Sequence, residues 1–468
     1  MGWYIASEWI LKLVMIPIVA HRRRLTSSLS WLTIIFFLPW LGSLLYLILA
    51  PHRLTRRMRV HRRKLDRIRS GRRLATWEAH ARQHPFREQQ RALSRLTDRL
   101  GGYRPVGGNM VELLDDFTGT LSRLLDDVAA AERHVHLLFY IIDDARAGKL
   151  VGEALAEAAA RGVRCRVLAD AIGSRRFHRH VAPALRELGV EVRKLLPIPM
   201  LLRRLRPVDL RNHRKLAVID GRVAYTGSMN LSDAFVSSGR EALPWRDVML
   251  RIEGPAVLQL QDVFREDWIY NGGAELEDGA FPALATTGDV TLQVVASGPD
   301  AGVEALHHML VSALQGARER IVLTTPYLIP DEPTRVALRL AALRGVEVDV
   351  VVPHRCDAWL STVANHAFFQ EFLDDGIRIH IHRRGFLHSK TLTVDEELAV
   401  VGSANFDRRS FHLNFELNLL VYEQVGAAVA LQEGYLAEAE PLDTVRWQAR
   451  GLRKKILEDV VRLLSPLL

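Results

Sequence analysis

Cysteine is scarce in this chain. Cys165 and Cys356 are the only two, far apart and outside any CxxC or Cys/His spacing, which excludes a disulfide framework and a cysteine-based zinc site. Both read as small buried hydrophobes, a usage that fits the cytoplasm. DxD and HExxH motifs are missing as well, so the sequence signals no metal centre and no cofactor. A net excess of positive charge is missing from most of the chain. The formal net charge is +9, but residues 51–73 alone, PHRLTRRMRVHRRKLDRIRSGRR, carry +10 and leave the remainder at −1. A near-neutral remainder argues against a nucleic-acid enzyme. With 48% apolar and 25% charged residues, the chain is a folded protein, long enough at 468 residues for two or three domains.

What the sequence has is, first, an uncharged apolar run at 25–50, LTSSLSWLTIIFFLPWLGSLLYLILA, long enough to cross a hydrocarbon core. Trp31 and Tyr46 stand near its ends as interfacial anchors would, and Pro39 and Gly42 are candidates for a kink. No small-residue cleavage site follows it, so it is read as a retained anchor. An earlier stretch, 3–20, carries Glu8 and Lys12 and is read as a first span, an interfacial helix being the alternative. The Arg-rich block outweighs Arg22, Arg23 and Arg24, which places the C-terminal bulk in the cytoplasm by the positive-inside rule. The same block is expected to lie against anionic lipid head groups.

Beyond the anchor (1–50) and an Arg-rich juxtamembrane linker (51–105), the pattern repeats. HVHLLFYI (134–141), LVGEALAEAAARG (150–162) and VRCRVLAD (163–170) read strand, helix, strand; RIVLTTPYLI (320–329), VALRLAALRG (336–345) and VEVDVVVP (346–353) read the same. The expectation is an α/β fold: a mostly parallel, helix-covered sheet in two halves, 106–289 and 290–468.

The repeat extends to chemistry. HRKLAVIDGRVAYTGSMN (213–230) and HSKTLTVDEELAVVGSAN (388–405) place His, Lys, Asp, Gly, Ser and Asn at identical spacing, 175 residues apart. These are His213, Lys215, Asp220, Gly227, Ser228 and Asn230, then His388, Lys390, Asp395, Gly402, Ser403 and Asn405. Two such half-sites meeting at a pseudo-twofold axis suit phosphoryl chemistry. Imidazole can attack phosphorus and move protons near neutral pH. Lysine supplies fixed charge for phosphate oxygens, and the Gly-Ser-x-Asn corners, with Ser228, Asn230, Ser403 and Asn405, are expected to cradle the phosphate. On a strand of period two, Asp220 and Asp395 fall on the face away from the histidines and read as structural. A catalytic imidazole also needs a carboxylate on its other nitrogen. Asp247, 34 residues past His213, and Glu416, 28 past His388, are the candidates for orienting their own motif's histidine.

Tyr140 and Tyr327 sit at matching strand ends, lining an entrance or the core. His307 and His308 face different directions on a helix and read as surface residues, not a metal pair. The stretch 177–189, with Arg175 and Arg176, is a basic helix face, either near the membrane or simply solvated.

The paired motifs resemble the phospholipase D superfamily. RNHRKLAVIDGR (211–222), TPYLIPDE (325–332), FLHSKT (386–391), GSANFDRRSFHLNFE (402–416) and LLSPLL (463–468) are similar to its bacterial cardiolipin synthases, over essentially the whole chain. The resemblance implies two tandem phospholipase D-like α-β-α domains in a pseudo-twofold bilobal unit, preceded by transmembrane helices. It counts His213, Lys215, Asp220, His388, Lys390 and Asp395 as catalytic, without a metal. It also implies ping-pong transfer at the inner membrane: His213 attacks the phosphorus of phosphatidylglycerol, and His388 serves as acid and then base. A second phosphatidylglycerol takes the phosphatidyl group. Hydrolysis to phosphatidic acid and a superfamily nuclease are the alternatives. Which histidine attacks, the donor and acyl preference, and the oligomeric state stay open at this level.

Overall fold

In the computed structural model the described residues are 2–20, 25–49, 86–196, 210–233, 245–283, 285–299, 304–422 and 424–464. The Arg-rich block 51–73, Arg22 to Arg24 and residues 465–468 of the C-terminal LLSPLL lie outside them. The chain divides into two compact units, 1–59 with 197–210, and the rest.

The first unit contains helices Gly2–Ala20, Leu25–Phe37 and Pro39–Leu49. Only Gly2–Ala20, at 19 residues, is long and apolar enough to cross a membrane, among the described residues. The run 25–50 was expected to be one span with a kink at Pro39 and Gly42, and the break at Leu38 is sharper than a kink. On a continuous helix Trp31 and Tyr46 would be about 22 Å apart, yet their rings meet edge to face at 5.5 Å. The helix doubles back at Leu38–Pro39. Gly42 permits the close return, because a Cβ there would lie 2.9 Å from Ile34 O and Ile35 Cα. Tyr46 Oη and Ser28 Oγ donate to Ile18 O and Val19 O of the first helix. A small core of Met15, Val19, Trp31, Ile35 and Tyr46 results.

The second unit is built on one 15-stranded sheet. Strands between Val106 and Glu253 occupy one side of it and strands between Val290 and Pro441 the other. The seam is strand Val290–Ser297, which pairs antiparallel with Glu416–Tyr422 and with Val106–Leu114. Parallel pairing, expected for most of the sheet, is confined to the flanks: His134–Phe139, Arg164–Asp170 and Glu191–Leu195 on one, Arg320–Thr324, Glu347–Pro353 and Arg378–His382 on the other. The centre is antiparallel because each motif strand, Lys215–Ile219 and Thr391–Val394, turns straight back into a hairpin. A crossover helix is needed only where strands run parallel.

Helices bury the sheet's faces. Arg146–Ala160 packs its Val151, Leu155 and Ala158 stripe on the first flank, and Glu332–Leu343 does the same with Ala337, Leu338 and Ala341 on the second. Helix Ala256–Tyr270 is buried almost all round, lying over the centre with Val257, Leu260, Val263 and Phe264. Such all-round burial requires its polar groups to be paired. Gln261 meets His136, Asp262 meets Arg265, and Asp267 meets Arg214.

Candidate active site

Both motif histidines precede their strands and lie on extended segments that reach into the other half. His213 N donates to Phe415 O at 2.8 Å, and Phe415 N to Arg211 O at 2.9 Å. His388 N donates to Arg246 O at 2.7 Å, and Arg246 N to Phe386 O at 2.9 Å. These two short parallel bridges, Asn212 with Phe415 and Arg246 with Leu387, set each histidine beside the carboxylate strand of the opposite half. Arg214 fastens the first bridge, donating to Asp267 Oδ2 (2.7 Å), Ser297 O (3.0 Å) and Glu416 O (3.2 Å).

The carboxylates are therefore exchanged relative to expectation. His213 Nδ1 lies 3.1 Å from Glu416 Oε2, and His388 Nδ1 lies 2.6 Å from Asp247 Oδ2. A carboxylate only accepts, so each ring carries its proton on Nδ1 and offers Nε2 for chemistry. Lys215 Nζ donates to His213 O at 2.6 Å; Lys390 Nζ donates to His388 O at 2.5 Å and reaches His388 Nε2 at 3.0 Å.

Burial dominates the electrostatics. It pushes His213 below the usual imidazole range, reinforced by Lys215 and opposed by Glu416. Burial and Lys390 lower His388 to about 4. Lys390 is lowered to about 8 and Lys215 well below its usual value, burial again leading. Burial pushes Asp247 and Glu416 up, but the facing histidine, the lysines and a serine hydroxyl carry both below the usual carboxylate range. The resting site thus holds two neutral imidazoles beside ionised carboxylates and the Lys390 ammonium, cationic below about 8, a set suited to receive a phosphodiester anion.

The Gly-Ser-x-Asn corners of the two motifs make contacts within the fold. Ser228 Oγ donates to Asp247 Oδ1 and Ser403 Oγ to Glu416 Oε2, so the serines brace the carboxylates. Asn230 Oδ1 accepts from Ile141 N at 3.2 Å, and Asn405 N donates to Ser410 Oγ at 3.1 Å. Gly227 and Gly402, expected to let a ligand approach, instead let strands approach. A Cβ on Gly402 would meet Leu417 O at 2.5 Å, and one on Gly227 Met249 Cα at 2.8 Å.

Asp220 and Asp395, counted with the catalytic set, sit in the turns beyond the motif strands with φ of 53°. Asp220 accepts from the backbone N–H groups of Glu132, Arg133 and His134, each at 2.8 Å. Asp395 accepts from those of Arg318, Glu319 and Arg320 at 2.8 to 3.1 Å. They anchor the start of a neighbouring strand and touch neither histidine.

Sequence reasoning missed the aromatic frame. Trp245 and Phe386 lie 5.2 and 5.7 Å from the His388 ring. Each is two residues from a site residue, Asp247 or His388, a period-two signal on an extended chain. Tyr140 packs 5.1 Å from His213, and Tyr327 Oη donates to Asp357 Oδ1 at 2.7 Å. In the basic stretch Phe177 and His178 are buried, while Arg175 and Arg176 open its first helix. His307, expected at the surface, is only 4% exposed because its helix packs that face inward.

A family model described as cardiolipin synthase, PLD-like domain, matches residues 124–268 and 310–435. Cardiolipin synthase A of Erwinia tasmaniensis is 36% identical over 491 residues, spanning 100% of this chain and 99% of that protein. Cardiolipin synthase A of Yersinia pestis is 37% identical, spanning 97% and 96%. Among solved structures, phosphatidylserine synthase of Haemophilus influenzae superposes with a TM-score of 0.58 at 12% identity, covering 81% of this chain and 98% of that one, a likeness of fold.

Proposed function

The chain belongs to the cardiolipin synthases built on phospholipase D-like domains, and from that premise we infer that its two histidines work in turn on one phosphatidyl group. The reaction is phosphatidyl transfer leading to cardiolipin. His213 Nε2 attacks the phosphorus of a bound phosphatidylglycerol; the N–P bond forms as the P–O bond to the head-group glycerol breaks. His388 takes up a solvent proton on Nε2 as the phosphodiester anion binds, and the departing oxygen takes that proton. A second phosphatidylglycerol then enters, its hydroxyl proton passes to His388, and its oxygen displaces His213 from phosphorus. Lys215, Lys390, Asn230 and Asn405 hold the phosphate oxygens through both steps.

The observation that carries this reading is the crosswise pairing of each imidazole with the other half's carboxylate. The unequal separations support this division of roles. His388 has the closer carboxylate, at 2.6 Å against 3.1 Å, and a close carboxylate favours the imidazolium that the acid must become. An incoming phosphate anion further offsets the lysine charge that depresses this histidine. We read 106–289 and 290–468 as the two domains, and Gly2–Ala20 as part of a membrane anchor whose Arg-rich sequel faces anionic lipid on the cytoplasmic side.

The test is single-turnover labelling with acyl-labelled phosphatidylglycerol followed by mapping of the phosphatidyl-histidine. Label on His213, retained in His388→Ala and absent from His213→Ala, is the expected result. Label on His388 in the His213→Ala protein would reverse the roles. Phosphatidic acid formed without cardiolipin would make water the acceptor.

A further inference from the structure

Away from the active site, three separate segments bring histidines and carboxylates together. Glu304 and His307 stand at the start of helix Ala305–Gly316, Asp331 caps helix Glu332–Leu343, and His412 ends the short helix Arg408–His412. Asp331 Oδ1 lies 3.0 Å from His307 Nε2, and its Oδ2 lies 3.2 Å from His412 Nε2. As an acceptor, the Asp331 carboxylate places a proton on Nε2 of both rings. In the neutral imidazoles both Nδ1 atoms are then lone pairs, and both face one oxygen. Glu304 Oε2 is 3.6 Å from His307 Nδ1 and 3.1 Å from His412 Nδ1. His307 Nδ1 is buried and has no hydrogen-bond partner. Two imidazole nitrogens and a carboxylate oxygen gathered this way are a donor set for a cation.

We propose that Glu304, His307 and His412 form a binding site for a divalent transition-metal ion of the zinc class. Zinc bonds of about 2.0–2.1 Å in a tetrahedron keep ligand atoms about 3.4 Å apart, and the separations of 3.1 and 3.6 Å straddle that value. His308 can furnish the fourth ligand, since Glu304, His307 and His308 present donor atoms within 4.8 Å of one another. Asp331 supplies the outer carboxylate that metal-binding histidines use to fix tautomer and ring direction. Thr334 Oγ1 holds that carboxylate at 2.7 Å, and Phe411 stacks on His307 at 5.2 Å.

The ion has no part in phosphatidyl transfer. It ties helix Ala305–Gly316 to the segment 408–412, from which the chain runs in four residues to Glu416, the carboxylate that orients His213. Its role is to hold that segment in register.

The experiment uses the full chain in detergent, stripped by chelator and titrated with zinc alone. Bound metal is measured by mass spectrometry after gel filtration, beside the melting temperature; cobalt replaces zinc to read tetrahedral d–d absorption. The expected result is about one zinc per chain and a raised melting temperature. Uptake should fall at least tenfold in affinity in both Glu304→Gln and His412→Leu and stay intact in His213→Ala. Glu304, partly exposed and ahead of its helix, gives a variant that should fold even if His412→Leu does not. No zinc uptake by the stripped wild type overturns the proposal and leaves a proton as the shared charge. Uptake that survives Glu304→Gln overturns it as well, because the metal then sits elsewhere.

Discussion

Each catalytic-motif imidazole has its Nδ1 proton committed to a carboxylate that arrives from the other half of the sheet, so each half is chemically incomplete alone. This assigns distinct consequences to the two carboxylates. Glu416→Gln should behave like a His213 defect and Asp247→Asn like a His388 defect, each lowering kcat on the order of 10³–10⁴-fold by releasing the tautomer. Single-turnover assays separate them: the first should abolish formation of the phosphatidyl-enzyme, and the second should slow glycerol release. Matching the defects to the histidines of their own motifs instead would contradict the crosswise pairing. Lys390 gives a pH dependence of its own. With its ammonium lowered to about 8 by burial, kcat/KM should fall as pH rises through about 8, when the charge that receives the phosphodiester is lost. In Lys390→Arg the residual activity should lack this alkaline limb, since guanidinium does not titrate there. A limb unchanged in that variant assigns it to another group.

Among the secondary-structure elements, the motif hairpins show a repeated spacing that serves the backbone. Asp220 and Asp395 each satisfy three consecutive N–H groups at the head of a flanking strand. Asp220→Ala and Asp395→Ala should each cost about 3 kcal/mol of stability while kcat per folded molecule changes less than about threefold. A denaturant midpoint measured beside active-site titration checks this; a large kcat loss with unchanged stability would bring the aspartates back into the mechanism. The sequence made these elements legible where periodicity was strong. The strands at 134–141, 163–170 and 346–353 correspond to His134–Phe139, Arg164–Asp170 and Glu347–Pro353. Strand alternation placed Asp220 and Asp395 away from the histidines; they are away, but because they lie in turns beyond the strands, bonded to the backbone of a neighbouring strand. The exchange of Asp247 and Glu416 was not legible, because two equivalent repeats give the same local pattern whether a carboxylate serves its own half or its partner. The parallel bridges that decide it are three-dimensional contacts between residues about 140 to 200 apart. The hairpin at Pro39 was hidden for a related reason: hydropathy measures length, and Trp31 with Tyr46 gave no sign of touching.

For the whole molecule, a continuous sheet with its reactive groups at the central junction makes stability depend on groups that also do chemistry. His388, at the site, and His366, packed against Phe369 and Trp447, are both held at about 4 by burial. Both lie below the imidazole value of about 6.5 expected in the unfolded chain. The folded state therefore binds fewer protons than the unfolded state between those values, and stability rises with pH across that window. Their contribution is complete above about pH 6.5 and is lost as pH falls toward 4. For His388 the loss is about 2 kcal/mol by pH 5. Glu277, held down to about 2 by its bonds to Arg166, behaves in the same direction but later, losing its contribution only as pH falls below about 4.5. Acid sensitivity should thus begin with the histidines, while Asp407, pushed up to about 6 by burial, takes up a proton in the same window and offsets part of their loss. Urea midpoints measured on the full chain in detergent should be level from pH 7.5 to 6.5 and decline steadily to pH 5. In His388→Gln, where that imidazole is gone, the decline should be shallower by the share of that one group. Parallel declines in the two proteins would place the acid-sensitive group outside the active site and detach the molecule's pH stability from its catalytic histidine.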